Sequence, residues 1–304
     1  MMKTNNTGEI FINSNKCTGC GLCMSVCPDK VFALSTGKAT ITGEKCIKCG
    51  HCVAVCPEQA ITYDAIDNIL GFKSFPEKTD WVPFGKSNIS DLVQLLRSRR
   101  SCRNYIAKPV KKDLLDDLVK IAITAPSGTN SQAWTFTVLQ SRKEVDRFGG
   151  KVADFYRDLN RKAKNPALRT LAKCFLGDSL GKYYRKYYES ITQGIKEWDE
   201  DGKDRLFHGA TAIILIGSTA EASCPAEDAM LATQNILIAS HAMGLGSCLI
   251  GFAVEAIKRD KRVKRFLSIP NDTTIYSVIS LGYPAEKYKQ VTGRKKVIPR
   301  YLKL

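Results

Sequence analysis

The spacing Cys17-x2-Cys20-x2-Cys23-x3-Cys27-Pro28 returns 29 residues later as Cys46-x2-Cys49-x2-Cys52-x3-Cys56-Pro57. A strict repeat of this kind limits what the first part of the chain can become. Three thiols two residues apart converge only where a tight turn points successive backbone amides inward, and amides so aimed also hydrogen-bond the sulfurs of a bound group and tune its potential. Gly19, Gly21 and Gly50 supply a permissive backbone for such turns. Pro28 and Pro57 lack an amide hydrogen and redirect the chain after the last thiol. A pair of zinc sites is the plain alternative, but zinc uses two separated Cys-x2-Cys pairs rather than one compact four-cysteine run given twice. The pattern is that of two [4Fe-4S] clusters, where three close thiolates wrap one cluster and the fourth reaches the other. By that crossing rule Cys17, Cys20, Cys23 and Cys56 hold one cluster, and Cys46, Cys49, Cys52 and Cys27 hold the second.

The run is the one bacterial ferredoxins use, so residues 1–64 resemble a small 2[4Fe-4S] ferredoxin-like α+β domain. Short β-prone segments, Glu9–Ile12 and Ala60–Tyr63, flank it. The other four of twelve cysteines, Cys102, Cys174, Cys224 and Cys248, are scattered, and that unevenness marks a domain border. A chain of 304 residues, 44% hydrophobic, has room for this domain and one of ordinary size with a real core. No apolar run reaches the roughly 18 residues a membrane span needs. The start, Met1–Ile12, is polar and lacks the apolar stretch of a signal peptide. The expectation is therefore a cytoplasmic protein without a membrane, whose clustered cysteines hold metal rather than disulfides.

After Tyr63 a connector punctuated by Gly71, Pro76, Pro83 and Gly85 reads as a linker, set at residues 65–89. Ser90 is placed to cap a helix that carries Leu92, Leu95 and Leu96 on one face. Lys111–Thr124 reads as a second helix, Trp134–Leu139 as a strand, and Lys143–Trp198 as charged, aromatic helix. Ala212–Ile216 is an apolar strand bounded by Gly217, Pro225–Met243 a buried helix, and Thr273–Leu281 a last strand. Helices outnumber strands without alternating regularly, so the class is α+β rather than doubly wound.

Four segments in this part, taken in order, resemble the FMN-dependent nitroreductase family. They are Arg99-Arg100-Ser101-Cys102-Arg103, the run Ala125–Trp134, the run Gly244–Gly251, and Leu281-Gly282-Tyr283-Pro284 followed by Gly293-Arg294-Lys295. The resemblance implies a nitroreductase-like mixed sheet wrapped by helices over residues 90–304, built as a homodimer. A flavin phosphate needs cations and hydroxyl donors in one place, which Arg99, Arg100 and Ser101 offer at a helix end and Arg294 or Lys295 can complete. By resemblance, Arg103 reaches the pyrimidine side of the isoalloxazine, where a cation raises the potential. Also by resemblance, Pro126, Ser127, Asn130 and Gln132 reach the flavin of the neighbouring subunit, although Ala133 stands where the family commonly has proline. Backbone around Cys248, Leu249 and Gly251 approaches flavin N5, where the chemistry happens. No side chain is singled out as catalytic.

Cys248 reads as a buried packing residue rather than a nucleophile, and Cys102, Cys174 and Cys224 take the same default. His51, His208 and His241 show no metal or triad pattern, although His51 sits inside the second cluster loop. Tyr183, Tyr184, Tyr187 and Tyr188 read as core or dimer packing, with a substrate contact implied only by the family's inserted helices.

The formal charge of +16, from 46 Lys and Arg against 30 Asp and Glu, falls by roughly 6 once two thiolate-bound clusters and a flavin phosphate are counted. The basic residues are dispersed and no nucleic-acid module is present, so nucleic acid is not an expected partner. An acidic electron-carrier protein such as ferredoxin is, because opposite charge speeds redox encounters. The expected function is relay from that donor through two [4Fe-4S] clusters to FMN and on to a small organic acceptor of nitro or enone type. An NAD(P)H-dependent reductase sending electrons outward, a non-enzymatic carrier, and a redox sensor or interaction protein that binds clusters and no flavin are the rivals.

Overall fold

The computed structural model describes residues 9–64, 66 and 69–303. Most of the polar start and part of the connector lie outside the described residues. The chain divides into two compact units, Met1–Trp81 with Ser127–Gln132, and Val82–Pro126 with Ala133–Leu304.

The first unit runs β1 (Ile10–Ile12), α1 (Leu22–Ser25), β2 (Phe32–Ser35), β3 (Lys38–Ile41), α2 (His51–Val55) and β4 (Ile61–Tyr63). β1 pairs antiparallel with β4, and β2 with β3. Gly21 and Gly50 open the two short helices from equivalent places in the repeat, with φ of 74° and 75°, in the left-handed region that glycine enters without steric cost. The apolar core is thin: Val31, Phe32, Ala39, Ala60 and Ile61 pack beside Cys17, Cys23 and Cys52. A unit this small with cysteines at its centre depends on what those cysteines bind.

The second unit begins with α3 (Ile89–Ser98) and α4 (Lys112–Ala122), then β5 (Trp134–Leu139), α5 (Arg142–Lys164), α6 (Pro166–Leu176) and α7 (Ser179–Asp201). It continues with β6 (Ala212–Thr219), α8 (Pro225–Ala242), β7 (Gly246–Leu249), α9 (Gly251–Arg259), α10 (Lys261–Phe266) and β8 (Thr273–Gly282). The sheet order is β5-β6-β8-β7, every neighbouring pair antiparallel. A parallel bridge from Ser101 to Ser247 on edge strand β7 makes it mixed. Along β6 the side chains alternate between two cores. Ile213 and Leu215 join one formed with Val145, Phe148, Ala253 and Ile257; Ile214 and Ile216 join the other, with Leu118, Ala232 and Ile236. Helices thus cover both faces.

Several local expectations shift. Asn88, not Ser90, caps α3: its side-chain oxygen accepts the Ser90 and Asp91 amides at 3.0 and 3.4 Å, which puts Ser90 inside the first turn. α3 also buries no residue. The long helical stretch breaks into three because Asn165 both ends α5 and caps α6, with Pro166 in the first turn, and Gly177 (φ 68°) ends α6. β6 continues past Gly217 through a bulge between Ile216 and Gly217. Cys174, on α6, and Cys224, before α8, are exposed rather than packed, while Cys102 and Cys248 are buried.

Candidate functional site

In the first unit the eight motif cysteines fall around two hollows. One is lined by Cys17, Cys20, Cys23 and Cys56, the other by Cys27, Cys46, Cys49 and Cys52. Each hollow takes three cysteines from one motif and one from the other. Among the described residues no three metal-ligating side chains crowd closely enough to share a single ion. Four thiols spread around a hollow are the arrangement a cubane needs, because its irons hold the ligands apart.

Backbone amides aim at the sulfurs. The Val31 N–H donates to Cys27 Sγ at 3.4 Å and the Ala60 N–H to Cys56 Sγ at 3.3 Å, the same bond in both halves of the repeat. Ala39 donates to Cys17 Sγ at 3.4 Å and Lys48 to Cys46 Sγ at 3.3 Å. Such bonds favour the thiolate. The Ala39 and Gly19 amides hold the Cys17 thiol below its ordinary value, whereas burial pushes Cys23 up and Cys52 up to about 11. A bound iron must displace those protons. His51 lines the second hollow, as its place in the sequence suggested.

In the second unit the segments 99–103 and 244–251 come together. The Cys102 N–H donates to the Ser247 carbonyl at 3.0 Å, laying the basic segment along β7. Glycine makes this possible: a Cβ on Gly246 would stand 2.7 Å from Cys102 Cβ, and one on its cross-strand partner Gly282 would stand 2.8 Å from the Tyr105 ring. Arg99 ends α3, and burial, with Arg100 and Arg294 close by, pushes its guanidinium below the ordinary value. Among the described residues Arg99, Arg100, Arg103 and Arg294 have no carboxylate partner. Several unneutralised guanidiniums in one place favour an anion. Burial pushes the Cys248 thiol up, against the opposing pull of Arg103, Ser101 and Arg99, so a reactive thiolate is not what this position builds. Lys295 is exposed beyond β8.

Beside this cluster lies a cavity of about 1090 Å³, lined by Arg103, His208, residues 248–251 and an aromatic wall that includes Tyr156, Tyr183, Tyr187 and Phe252. Gly251 opens α9, whose first-turn amides lack helical acceptors and carry the positive end of the helix dipole. The tyrosine run of α7 divides by helical spacing. Tyr183 and Tyr187 line the cavity, whereas Tyr184 and Tyr188 pack on each other at 4.8 Å, with Arg169 over the Tyr184 ring. The Tyr183 hydroxyl donates to Asn160 Oδ1 at 2.6 Å and that of Tyr156 to the Phe252 carbonyl at 2.9 Å. Lys186, whose charge is favoured by a hydrogen bond to Tyr187, stands at the mouth. Lys182, Lys186, Phe252 and His208 were not candidates from the sequence, since only helix packing brings them to one cavity.

Of the loop 126–132, Pro126 belongs to the second unit and Ser127, Asn130 and Gln132 to the first. Asn130 Nδ2 donates to the carbonyls of Ile47 and Lys48 at 3.2 and 2.8 Å.

Paired four-thiol hollows and a cation-lined cavity on a helix-wrapped sheet define an iron–sulfur oxidoreductase. A model of the nitroreductase family matches residues 96–283, and one of a 4Fe-4S dicluster domain matches residues 9–57. The chain belongs to the nitroreductase family and carries a dicluster domain ahead of it. A Methanothermobacter thermautotrophicus protein provisionally named NADH dehydrogenase/NAD(P)H nitroreductase is 26% identical over 212 residues, 66% of this chain and 82% of its own. An iodotyrosine deiodinase of Thermotoga neapolitana is 26% identical over 216 residues, 69% of this chain and 97% of its own. A nitroreductase with bound FMN from Desulfitobacterium hafniense shares the fold, with a TM-score of 0.50 at 19% identity over 69% of this chain and 97% of that one. No helix among the described residues is long and apolar enough to cross a membrane.

Proposed function

We propose that the protein is a relay oxidoreductase taking electrons from a low-potential donor, an acidic carrier such as ferredoxin, through two [4Fe-4S] clusters to FMN, and from there to a small organic acceptor. The observation that carries this reading is the division of eight cysteines, four to each hollow, in a chain whose other unit holds the unpaired arginine cluster. Cys17, Cys20, Cys23 and Cys56 hold one cluster, and Cys27, Cys46, Cys49 and Cys52 the other. Arg99, Arg100, Ser101 and Arg294 bind the flavin phosphate; Arg103 and residues 248–251 face its ring. The assignments of Pro126, Ser127, Asn130, Gln132 and Lys295 to the flavin rest on the resemblance alone.

When bound, the clusters supply one-electron relay and the flavin supplies two-electron storage and hydride delivery. The chain's own residues bind, orient and screen. Arg103 and the opening turn of α9 stabilise negative charge at the cavity floor. The wall of Tyr156, Tyr183 and Phe252 excludes water and offers a flat apolar surface suited to a conjugated acceptor of nitro or enone type. Tyr187, bonded to Lys186, can hold a proton at its hydroxyl within reach of such an acceptor. The uncovered apolar side of α3 (Ile89, Leu92, Val93 and Leu96) supports a homodimer.

A second reading, NAD(P)H as donor with electrons leaving through the clusters, draws on the name of the M. thermautotrophicus relative. Anaerobic rapid mixing with reduced ferredoxin, NADH or NADPH separates the two. The relay predicts that reduced ferredoxin bleaches clusters and then flavin, and supports turnover of a nitro or enone acceptor. Flavin bleaching by NAD(P)H before any cluster signal would reverse the direction.

A further inference from the structure

The aromatic wall of the second unit's cavity has a charged edge, and one helix supplies much of both. Positions 182, 183, 186 and 187 of α7 fall on one face at helical spacing, with Lys182 and Lys186 along one margin and Tyr183 and Tyr187 along the other. The two tyrosines join Tyr156 of α5 and Phe252 of α9 in a closed circuit of four rings. Centroid separations are 6.4 Å from Tyr156 to Tyr183, 6.3 Å on to Tyr187, 5.7 Å to Phe252 and 5.7 Å back to Tyr156. The hydroxyl bonds of Tyr183 to Asn160 and of Tyr156 to the Phe252 carbonyl hold two of these rings in place. All of these residues belong to the second unit.

The charges around this circuit do not cancel. Arg103, Lys182, Lys186, Arg205, Arg259 and Glu255 line the cavity. Arg205 is taken by Glu197, and Arg259 by Glu255 at 2.9 Å. Asp178, one turn before Lys182, is bonded by Arg185, and Lys182 acts on it only through space. Among the described residues no carboxylate pairs with Lys182 or Lys186. Lys186 stands 4.9 Å from the Tyr187 ring centroid, which keeps its ammonium against the wall. With Arg103 given to the flavin ring, two lysine charges remain at the mouth without a carboxylate to meet them.

Resting on the relay reading, we propose that the acceptor is an aromatic or conjugated carboxylic acid, its flat body on the four-ring wall and its carboxylate on Lys182 and Lys186. A nucleotide phosphate shares the anionic chemistry, but phosphate favours forked guanidiniums, and those of this cavity are taken by Glu197, Glu255 and the flavin ring. Lysine ammoniums are compact point charges, suited to a small head group. Held in this way, the acid keeps its charge at the mouth and turns its reducible end toward residues 248–251.

The test uses the full-length holoprotein and a matched pair of probes, 3-nitrobenzoate and 3-nitrobenzamide, which differ by a single charge. Binding to the oxidised protein is read from the flavin spectrum, and anaerobic stopped-flow follows reoxidation of the reduced flavin by each probe. At low ionic strength the acid should half-saturate at about tenfold lower concentration than the amide, as two exposed charge pairs together allow. Added salt should shrink that preference. Lys182→Met should remove about three- to fivefold of it by weakening the acid alone, while Lys182→Arg, which keeps the charge, should retain it. Lys182→Met combined with Lys186→Met should abolish it. Equal half-saturation by acid and amide in the wild type, or a preference that survives the double substitution, overturns the proposal. So does a double variant that loses affinity for NADPH while binding the acid as before, which assigns the pair to a dinucleotide phosphate. Preferential binding of the acid to a protein whose reduced flavin neither probe reoxidises keeps the anion site and overturns the relay's acceptor step instead.

Discussion

Arg294 shows how much a single side chain can carry. It comes from the exposed segment after β8, among the described residues bonds to its neighbours Thr292 and Gly293, and yet lies close enough to Arg99 to lower that residue's proton affinity. Like charges brought together without a carboxylate are stabilised when an anion joins them. Losing one charge-assisted hydrogen bond costs about 1.5–3 kcal/mol. Arg294→Ala should therefore weaken FMN binding by about ten- to a hundredfold while leaving iron content unchanged, as read by fluorescence titration of flavin-depleted protein. At this scale the sequence was most informative where residue type alone defines the chemistry. Eight cysteines and the arginine run around Arg99 stood out as candidates because their spacing is local. His208, Lys186 and the Ile47–Lys48 carbonyls could not, because their roles come from neighbours 80 or more residues away or on other helices.

The longer helices and strands were legible, because burial imposes periods of 3.6 and 2 on the sequence, whereas α1, α2, β2, β3, α9 and α10 were not read. β5 spans Trp134–Leu139, the strand read from the sequence. β7 escaped: four residues, Gly246–Leu249, give no period, and its glycine serves the packing of Cys102 and Tyr105 rather than strand propensity. Among the elements, α7 carries a pH-sensitive anchor. Near its C-terminus Glu197 is bound by Arg205 and Gln193, with Lys203 adding to the pull, which hold its carboxyl down at about 2. A carboxylate with a depressed native value stabilises the fold above its unfolded value, near 4.5, and the contribution is lost as pH falls from there toward 2. Melting temperature measured across that window should fall more steeply for the wild type than for Glu197→Gln. Parallel curves would show that the anchor contributes nothing to the fold.

For the molecule as a whole, composition indicated two parts and a connector, but chain order hid one crossing. Nothing in Ser127–Gln132 announces that it packs with a unit whose last strand ended at Tyr63, because hydrogen bonds to backbone carbonyls leave no signature in residue type. The cysteine unit has a larger consequence. Since every hollow borrows its last wall from the opposite motif, neither half of the repeat can mature alone, and iron loading becomes a cooperative event. Native mass spectrometry during reconstitution with limiting iron and sulfide should find chains that are empty or fully charged, with few carrying a single cubane. Cys27→Ala, which removes a thiol from the second hollow, should for the same reason compromise the first. A cell short of iron would then hold fewer working copies rather than a stock of half-wired ones.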